Sequence, residues 1–370
     1  MGLPTPLPYD VLAASRARVI AAAETAPSAQ GFFAAVSAAL ADLVPTDAAG
    51  WFGVDPTSLL PSWPARIENV APGDCDSYWE REFLQDDVLQ LRSLASGAQT
   101  TGTLRAELDG LMNRSVRYRE FMAPRGYEDE LRSTFRTGDS TWGVTVLLRG
   151  PDLPAFSPDE VRFIASLSQP LAEALRTKVL AGHPVDPSEH GSGVLSFDTD
   201  GRLIASNDAA RYWLDQLPNN ADLESVPVAV FTALGHARAV EAGRARGEAN
   251  VLLSSRSGRW LTVRASALRG PTGEARAFAV TIEPTARKEL APMLAEAYGL
   301  SRRELEVTQR LARGESTATI AEALFLSEHT IRDHVKAVLT KTGLSSRAAL
   351  VAHLFFEYGR ASRRRDEVHV

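Results

Sequence analysis

Residues 300–352 place the tightest constraint on what this chain can fold into. Ser301 and Glu304 have the S-x-x-E spacing of a capping box, in which hydroxyl and carboxylate each satisfy a free N–H of the first helical turn. Gly314 falls where that helix would stop in a left-handed residue. Ser316 can cap a second helix with Ile320, Ala321 and Leu324 on one face, and Ser327 can cap a third. In the third, Ile331, Val335, Val338 and Leu339 fall at i, i+4, i+7 and i+8, an apolar stripe for packing. The opposite face then presents Arg332, Asp333, Lys336 and Thr340. Short helices with a tight break between the second and third give the outline of a helix-turn-helix. The polar face of such a third helix is the one that can meet base edges in a major groove.

These residues resemble the LuxR/FixJ-type DNA-binding domain over roughly the last fifth of the chain. The resemblance includes Leu300, Arg303-Glu304, Val307, Leu311, Gly314, Ile320-Ala321, Leu324, Leu326-Ser327, Thr330-Ile331, His334-Val335, Lys341, Gly343-Leu344 and Arg347. It implies that the third helix enters the major groove and that a fourth, at 346–358, helps pair two protomers. Position by position, it implies that Arg332, Asp333 and Lys336 face bases. Ser327, Thr330, His334, Lys341 and Arg347 would lie on or near phosphates. Arg and Lys suit guanine O6/N7, each good pair discriminating by about 1–3 kcal/mol, and Asp333 can accept from a cytosine amino group. Thr308, Arg310 and Thr342 depart from the leucines usual there, which predicts a looser small core. Thr317-Ala318-Thr319 replaces a more usual Asn-Lys-Glu and removes a phosphate contact. The competing reading is a three-helix bundle of the same outline that binds protein.

The net charge of −6 argues at first against nucleic acid. Its distribution softens that: residues 300–370 hold 12 Lys/Arg against 9 Asp/Glu. The surplus is small, so affinity should rest on dimerisation and a few base contacts more than on a broad basic patch. A basic tail at 359–370, with Arg363-Arg364-Arg365, reads as solvated. The lone cysteine, Cys75, excludes an internal disulfide and a multi-thiolate metal site, reads as a bystander thiol, and fits a reducing cytoplasm. The most apolar stretch, 31–44, is too short to span a bilayer and carries Asp42, so the expectation is a cytoplasmic protein with no membrane partner.

Upstream, helices are expected at 10–25 and 29–43, a strand at 48–55, paired strands at 130–136 and 141–149 around a Thr137-Gly138-Asp139-Ser140 turn, and a long helix opened by Ser157-Pro158-Asp159-Glu160. That α+β order resembles a GAF domain, especially at 32–52 and Trp142-Gly143-Val144. After a linker at 181–191, strands flank Asp200-Gly201 and Asn207 can start a helix. With strands expected at 258–267 and 277–282, this part resembles a PAS domain with a short helical middle. The expected organisation is therefore α+β: a GAF-like module at 1–180, a PAS-like module at 192–284, a connecting helix at 285–299 bent at Pro292, and an all-α four-helix domain at 300–358.

No Gly-rich phosphate loop, H-E-x-x-H or nucleophile elbow is present, so no enzyme, cofactor or metal is expected. Asp86-Asp87 reads as a solvated pair. His334 reads as an orienting group more than a titrating switch. Trp51, Tyr78, Trp79, Phe83, Tyr118, Phe121 and Trp142 make the first module rich in rings. They either line a pocket for a small apolar or aromatic effector or fill the core, and for any single ring the core is favoured. The stretch 78–88 also faintly resembles acyl-homoserine-lactone sensor domains, without their Asp-Pro step. The sequence thus predicts a homodimeric regulator binding double-stranded DNA under ligand control. Its alternative has modules that bind no ligand and serve as dimerisation or docking surfaces.

Overall fold

A computed structural model describes residues 9–71, 74–180, 191–217 and 227–351. The first module begins with α1 (Tyr9–Thr25), α2 (Ala29–Leu40), β1 (Ala48–Val54) and β2 (Pro61–Glu68). It continues through α3 (Asp74–Leu84), α4 (Leu91–Ser96), β3 (Thr101–Thr103) and α5 (Leu104–Glu107). The hairpin β4 (Asp129–Thr137) and β5 (Ser140–Arg149) follows, then α6 (Pro158–Leu180). The strands form one antiparallel sheet in the order β2-β1-β5-β4-β3. Because side chains alternate across a strand, neighbours on β1 part company. Trp51 joins a core with Phe32, Phe33, Leu131 and Leu171 under α1, α2 and α6, while Phe52 joins another with Tyr78, Trp79, Leu91 and Phe121. Helix α6 starts as the sequence requires: Ser157 and Glu160 exchange side-chain-to-N–H bonds at 3.3 and 2.8 Å.

The second module contains β6 (Gly193–Phe197), β7 (Leu203–Ser206), α7 (Asp208–Gln216), α8 (Val228–Glu241), β8 (Ala249–Ser254), β9 (Trp260–Arg269) and β10 (Ala275–Pro284). Its sheet order, β7-β6-β10-β9-β8, repeats the first in sequence-relative terms, 2-1-5-4-3. Asn207 caps α7 by accepting from Ala210 N–H at 2.8 Å. Helix α8 and strand β8 fill the middle that the sequence pattern leaves short. Residues Thr232 to Ala237 of α8 are all buried, because the helix lies between its own sheet and the first module. There Thr232 donates to the Pro61 carbonyl at 2.8 Å, and Asp55 accepts from Leu252 N–H at 3.1 Å. A helix apolar on all sides shows no amphipathic period, which is why the pattern hides it.

Helix α9 (Arg287–Ala297) contains Pro292 and joins the modules to a C-terminal bundle of α10 (Arg302–Ala312), α11 (Thr317–Leu324), α12 (Glu328–Thr342) and α13 (Arg347–Val351). Leu290, Met293 and Leu294 of α9 share a core with Leu252 and Trp260 of the second sheet and with Leu300, Val338 and Leu350 of the bundle. The mixed α+β class with an all-helical end is as the sequence implies. Among the described residues no helix is long and apolar enough to cross a membrane. The expected linker, the far half of the fourth helix, the Arg363-Arg364-Arg365 tail and the Cys75 side chain lie outside the described residues.

Candidate nucleic-acid interface

All four caps and stops expected in the bundle form. Ser301 and Glu304 make the reciprocal capping box, and Ser316 and Ser327 accept from Thr319 and Thr330 N–H at 3.1 Å. Gly314 takes a left-handed φ of 80°. The break between α11 and α12 is made by Phe325, a left-handed non-glycine residue at φ 55°, whose ring is 95% exposed. The polar substitutions in this core do not leave groups unpaired: Thr308 and Thr342 hydroxyls donate to the Glu304 and Val338 carbonyls at 2.7 and 2.9 Å, and Arg310 pairs with Glu315 at 2.8 Å.

Helix α12 is two-sided. Ile331, Val335 and Val338 are buried against α10, α11 and α9, and Arg332, Asp333, Lys336 and Thr340 are exposed. Arg332 holds Glu328 at 2.8 Å, and Asp333 lies 3.7 Å from His329 Nε2, both one turn away. Exposed i,i+4 pairs contribute only about 0.3–0.5 kcal/mol, well below the about 1–3 kcal/mol of a bidentate base contact. Either pair can therefore open for a base.

The five backbone candidates are less alike. Ser327 and Thr330 sit at the start of α12, where free N–H groups and the helix dipole favour phosphate oxygens. His334 is half-buried. Arg347 is exposed and donates to Thr317 at 3.1 Å. Lys341 is exposed but tied back to the bundle, donating to Glu304 at 2.7 Å and to the Gly299 carbonyl at 2.9 Å. Burial pushes the Glu304 carboxyl up, but Lys341 and the Ser301 donors outweigh it and hold it below the usual carboxylate range.

The ring-rich candidates in the first module do not form one pocket. Trp51 and Trp142 belong to the core under α1, α2 and α6. Tyr78, Trp79 and Phe121 meet on the other face of the sheet, with Phe83 and Tyr118 half-buried at its margin. Tyr78, Trp79 and Phe121 line an apolar cavity with Phe52, Val146 and Leu148, holding only about 40 Å³ of free space. Beside it lies a buried polar network. Arg132 contacts Glu82 at 2.6 Å, Glu130 at 3.2 Å and the Tyr78 hydroxyl, and Arg117 contacts Glu130 at 2.8 Å. Burial pushes the Glu130 carboxyl up, yet Arg117 and Arg132 more than offset this and hold it below its ordinary value. The solvated reading of Asp86-Asp87 holds for Asp86 alone. Asp87 turns inward, accepting from the Ser115 hydroxyl at 2.7 Å and Arg117 N–H at 2.8 Å. Those partners lie 28 and 30 residues away in sequence, beyond the reach of local pattern. Among the described residues no group of His, Cys, Asp and Glu could hold a metal ion.

Residues 299–354 match the family model described as "Bacterial regulatory proteins, luxR family". The chain is 42% identical over 66 residues to the probable transcriptional regulatory protein NarL of Mycobacterium tuberculosis, covering 18% of this chain and 29% of that protein. It is 43% identical over 54 residues to the oxygen regulatory protein NreC of Staphylococcus aureus, covering 15% of this chain and 25% of that one. The chain thus spans under a third of the length of these curated relatives. Among solved structures, a GAF domain from a Coxiella burnetii phosphoenolpyruvate-protein phosphotransferase aligns with 46% of this chain and 95% of its own, at 15% identity and TM-score 0.31.

Proposed function

We propose, from a luxR-family bundle at residues 299–354, that the chain is a sequence-specific DNA-binding transcription regulator working as a homodimer. The observation that carries this reading is the outward face of α12. Arg332, Asp333 and Lys336 are open to solvent while the apolar stripe of the same helix anchors it. The organisation into a GAF-like module at 1–180, a PAS-like module at 192–284, a joint at 285–299 and a DNA reader at 300–358 belongs to the same proposal. Base contacts are assigned to Arg332, Asp333 and Lys336. Ser327, Thr330, His334, Lys341 and Arg347 are assigned to the backbone, Lys341 through the ammonium N–H that Glu304 and Gly299 leave open.

The test is selection of bound sites from a random-sequence DNA pool by the full chain, repeated with Arg332→Ala. The expected result is a two-fold-related motif in which the variant loses preference at one position per half-site, by about 1–3 kcal/mol. An unchanged motif refutes the assignment of that face, and no enriched motif at low salt refutes the reading itself.

For the upstream modules a second reading draws on a specific observation. Ligand pockets usually run to about 300–1,000 Å³, against about 40 Å³ of free space beside Tyr78 and Trp79. We therefore favour modules that act through their contacts over a large apolar effector held beside those two rings; a cleft of about 560 Å³ between α2 and the β1–β2 strands, with Arg66 and Glu68 in its wall, is the roomier place for a ligand in this module. Native mass spectrometry of the purified chain separates the two: a co-purifying apolar mass reinstates the effector.

A further inference from the structure

A second cavity, with about 90 Å³ of free space, lies at the seam between the two sheet modules. One wall is α8 and the turn after it, with His236 and Arg244, and the other is α3 and α4, with Phe83, Asp86 and Arg92. His236 is 2% exposed, and its Nδ1 has no hydrogen-bond partner. The Arg246 backbone lies beside the same ring and favours its protonated form. We place the neutral ring's proton on Nε2, the tautomer that leaves a bare lone pair on Nδ1. A buried acceptor left without a donor is costly, so Nδ1 calls for a hydroxyl that the chain does not supply.

The charged lining is unbalanced in the opposite sense. Glu82 is committed to Arg132 at 2.6 Å and to Leu91 N–H at 2.7 Å, and Asp86 to Arg244 at 3.0 Å. Arg92 has no ion-pair partner among the described residues. Arg92 lines the same cavity as His236, and burial first, with the Arg92 charge second, holds the imidazole below its ordinary pKa. The seam thus combines an uncompensated cation, a second arginine at its edge and one orphaned acceptor, in a space fit for a few waters.

We propose that this seam binds a small oxyanion that also carries a hydroxyl, such as hydrogen phosphate or a short hydroxycarboxylate. Its anionic oxygens meet Arg92 and Arg244, and its hydroxyl donates to His236 Nδ1. Because the walls belong to different modules, the ligand binds the docked arrangement more tightly than a parted one and shifts that equilibrium by the difference. The site is independent of the DNA assignment above.

The test is calorimetric titration of the full chain in chloride buffer with sodium phosphate and, separately, sodium lactate, with sulfate as the hydroxyl-free control. One saturable site is expected for phosphate or lactate, and which of them binds identifies the source of the shared chemistry. Arg92→Gln, at an exposed position that leaves the core untouched, is expected to weaken binding about tenfold or more. His236→Phe keeps the ring's bulk without the acceptor and should bring phosphate binding down to the level of sulfate. No saturable binding of either anion, or binding indifferent to Arg92→Gln, overturns the site. Sulfate binding as tightly as phosphate overturns the role given to Nδ1.

Discussion

Glu304 shows how a single side chain in this bundle answers to two distant demands. Its carboxylate accepts from Ser301 N–H at 2.6 Å, closing the first turn of α10, and from Lys341 at 2.7 Å, tying the end of α12 to that turn. Its folded pKa is depressed. The stability it contributes is therefore fully present above the unfolded value of about 4.3 and is lost as pH falls through the folded value. Glu304→Gln is expected to lower the stability of the bundle at neutral pH by about 1 kcal/mol, a charged hydrogen bond discounted for the half-open lysine. It should also flatten the loss on acidification below about pH 4.3. Urea unfolding between pH 7 and pH 3, followed by helical circular dichroism, reads both. The box between Ser301 and Glu304 was legible from spacing. The lysine was not, because 37 residues separate it from Glu304 and family position pointed it toward DNA.

Among the elements, α8 depends most on what surrounds it. Gly235 lies under the Phe83 ring of α3, and a β-carbon there would come within 2.6 Å of that ring. Glycine costs about 1 kcal/mol relative to alanine inside a helix, so close approach is the physical reason for it here. Phe83 follows Tyr78 and Trp79 on the same helix, so α3 connects the small apolar cavity of one module to the seam with the other. Gly235→Leu is expected to force α3 from α8 at a cost of about 1–3 kcal/mol. Faster hydrogen exchange in both helices, with α1 and α6 unchanged, is the predicted signature. Unaltered exchange at α3 would mean that the seam absorbs the side chain.

At the scale of the whole molecule, α9 is the junction. Ala297 packs in the first module's main core, Glu296 accepts from Ser140 of that module, and Glu289 accepts from Thr262 of the second at 3.1 Å. Leu294, 2% exposed, lies in the core shared by the second sheet and the C-terminal bundle. Leu294→Ala is expected to destabilise this junction by about 2–5 kcal/mol. Limited proteolysis should then cut faster within 285–300, while the DNA motif read by α12 stays the same. A changed motif would show that the joint shapes the reading face itself.

The sequence by itself determined whatever is settled within a turn or a hairpin. That covers the four caps and stops of the bundle, the two-sided pattern of α12, the Thr137–Ser140 turn and the Asn207 start. Each depends on residues a few positions apart, where backbone geometry fixes who meets whom. Tertiary structure decided how the rings are divided between two faces of one sheet, the inward turn of Asp87, the anchoring of Lys341 and the seam around His236. Those outcomes join residues tens to more than a hundred positions apart, as Thr232 and Pro61 do across 171. They depend on which surfaces close over one another when the chain buries its apolar area, and no local period records that choice.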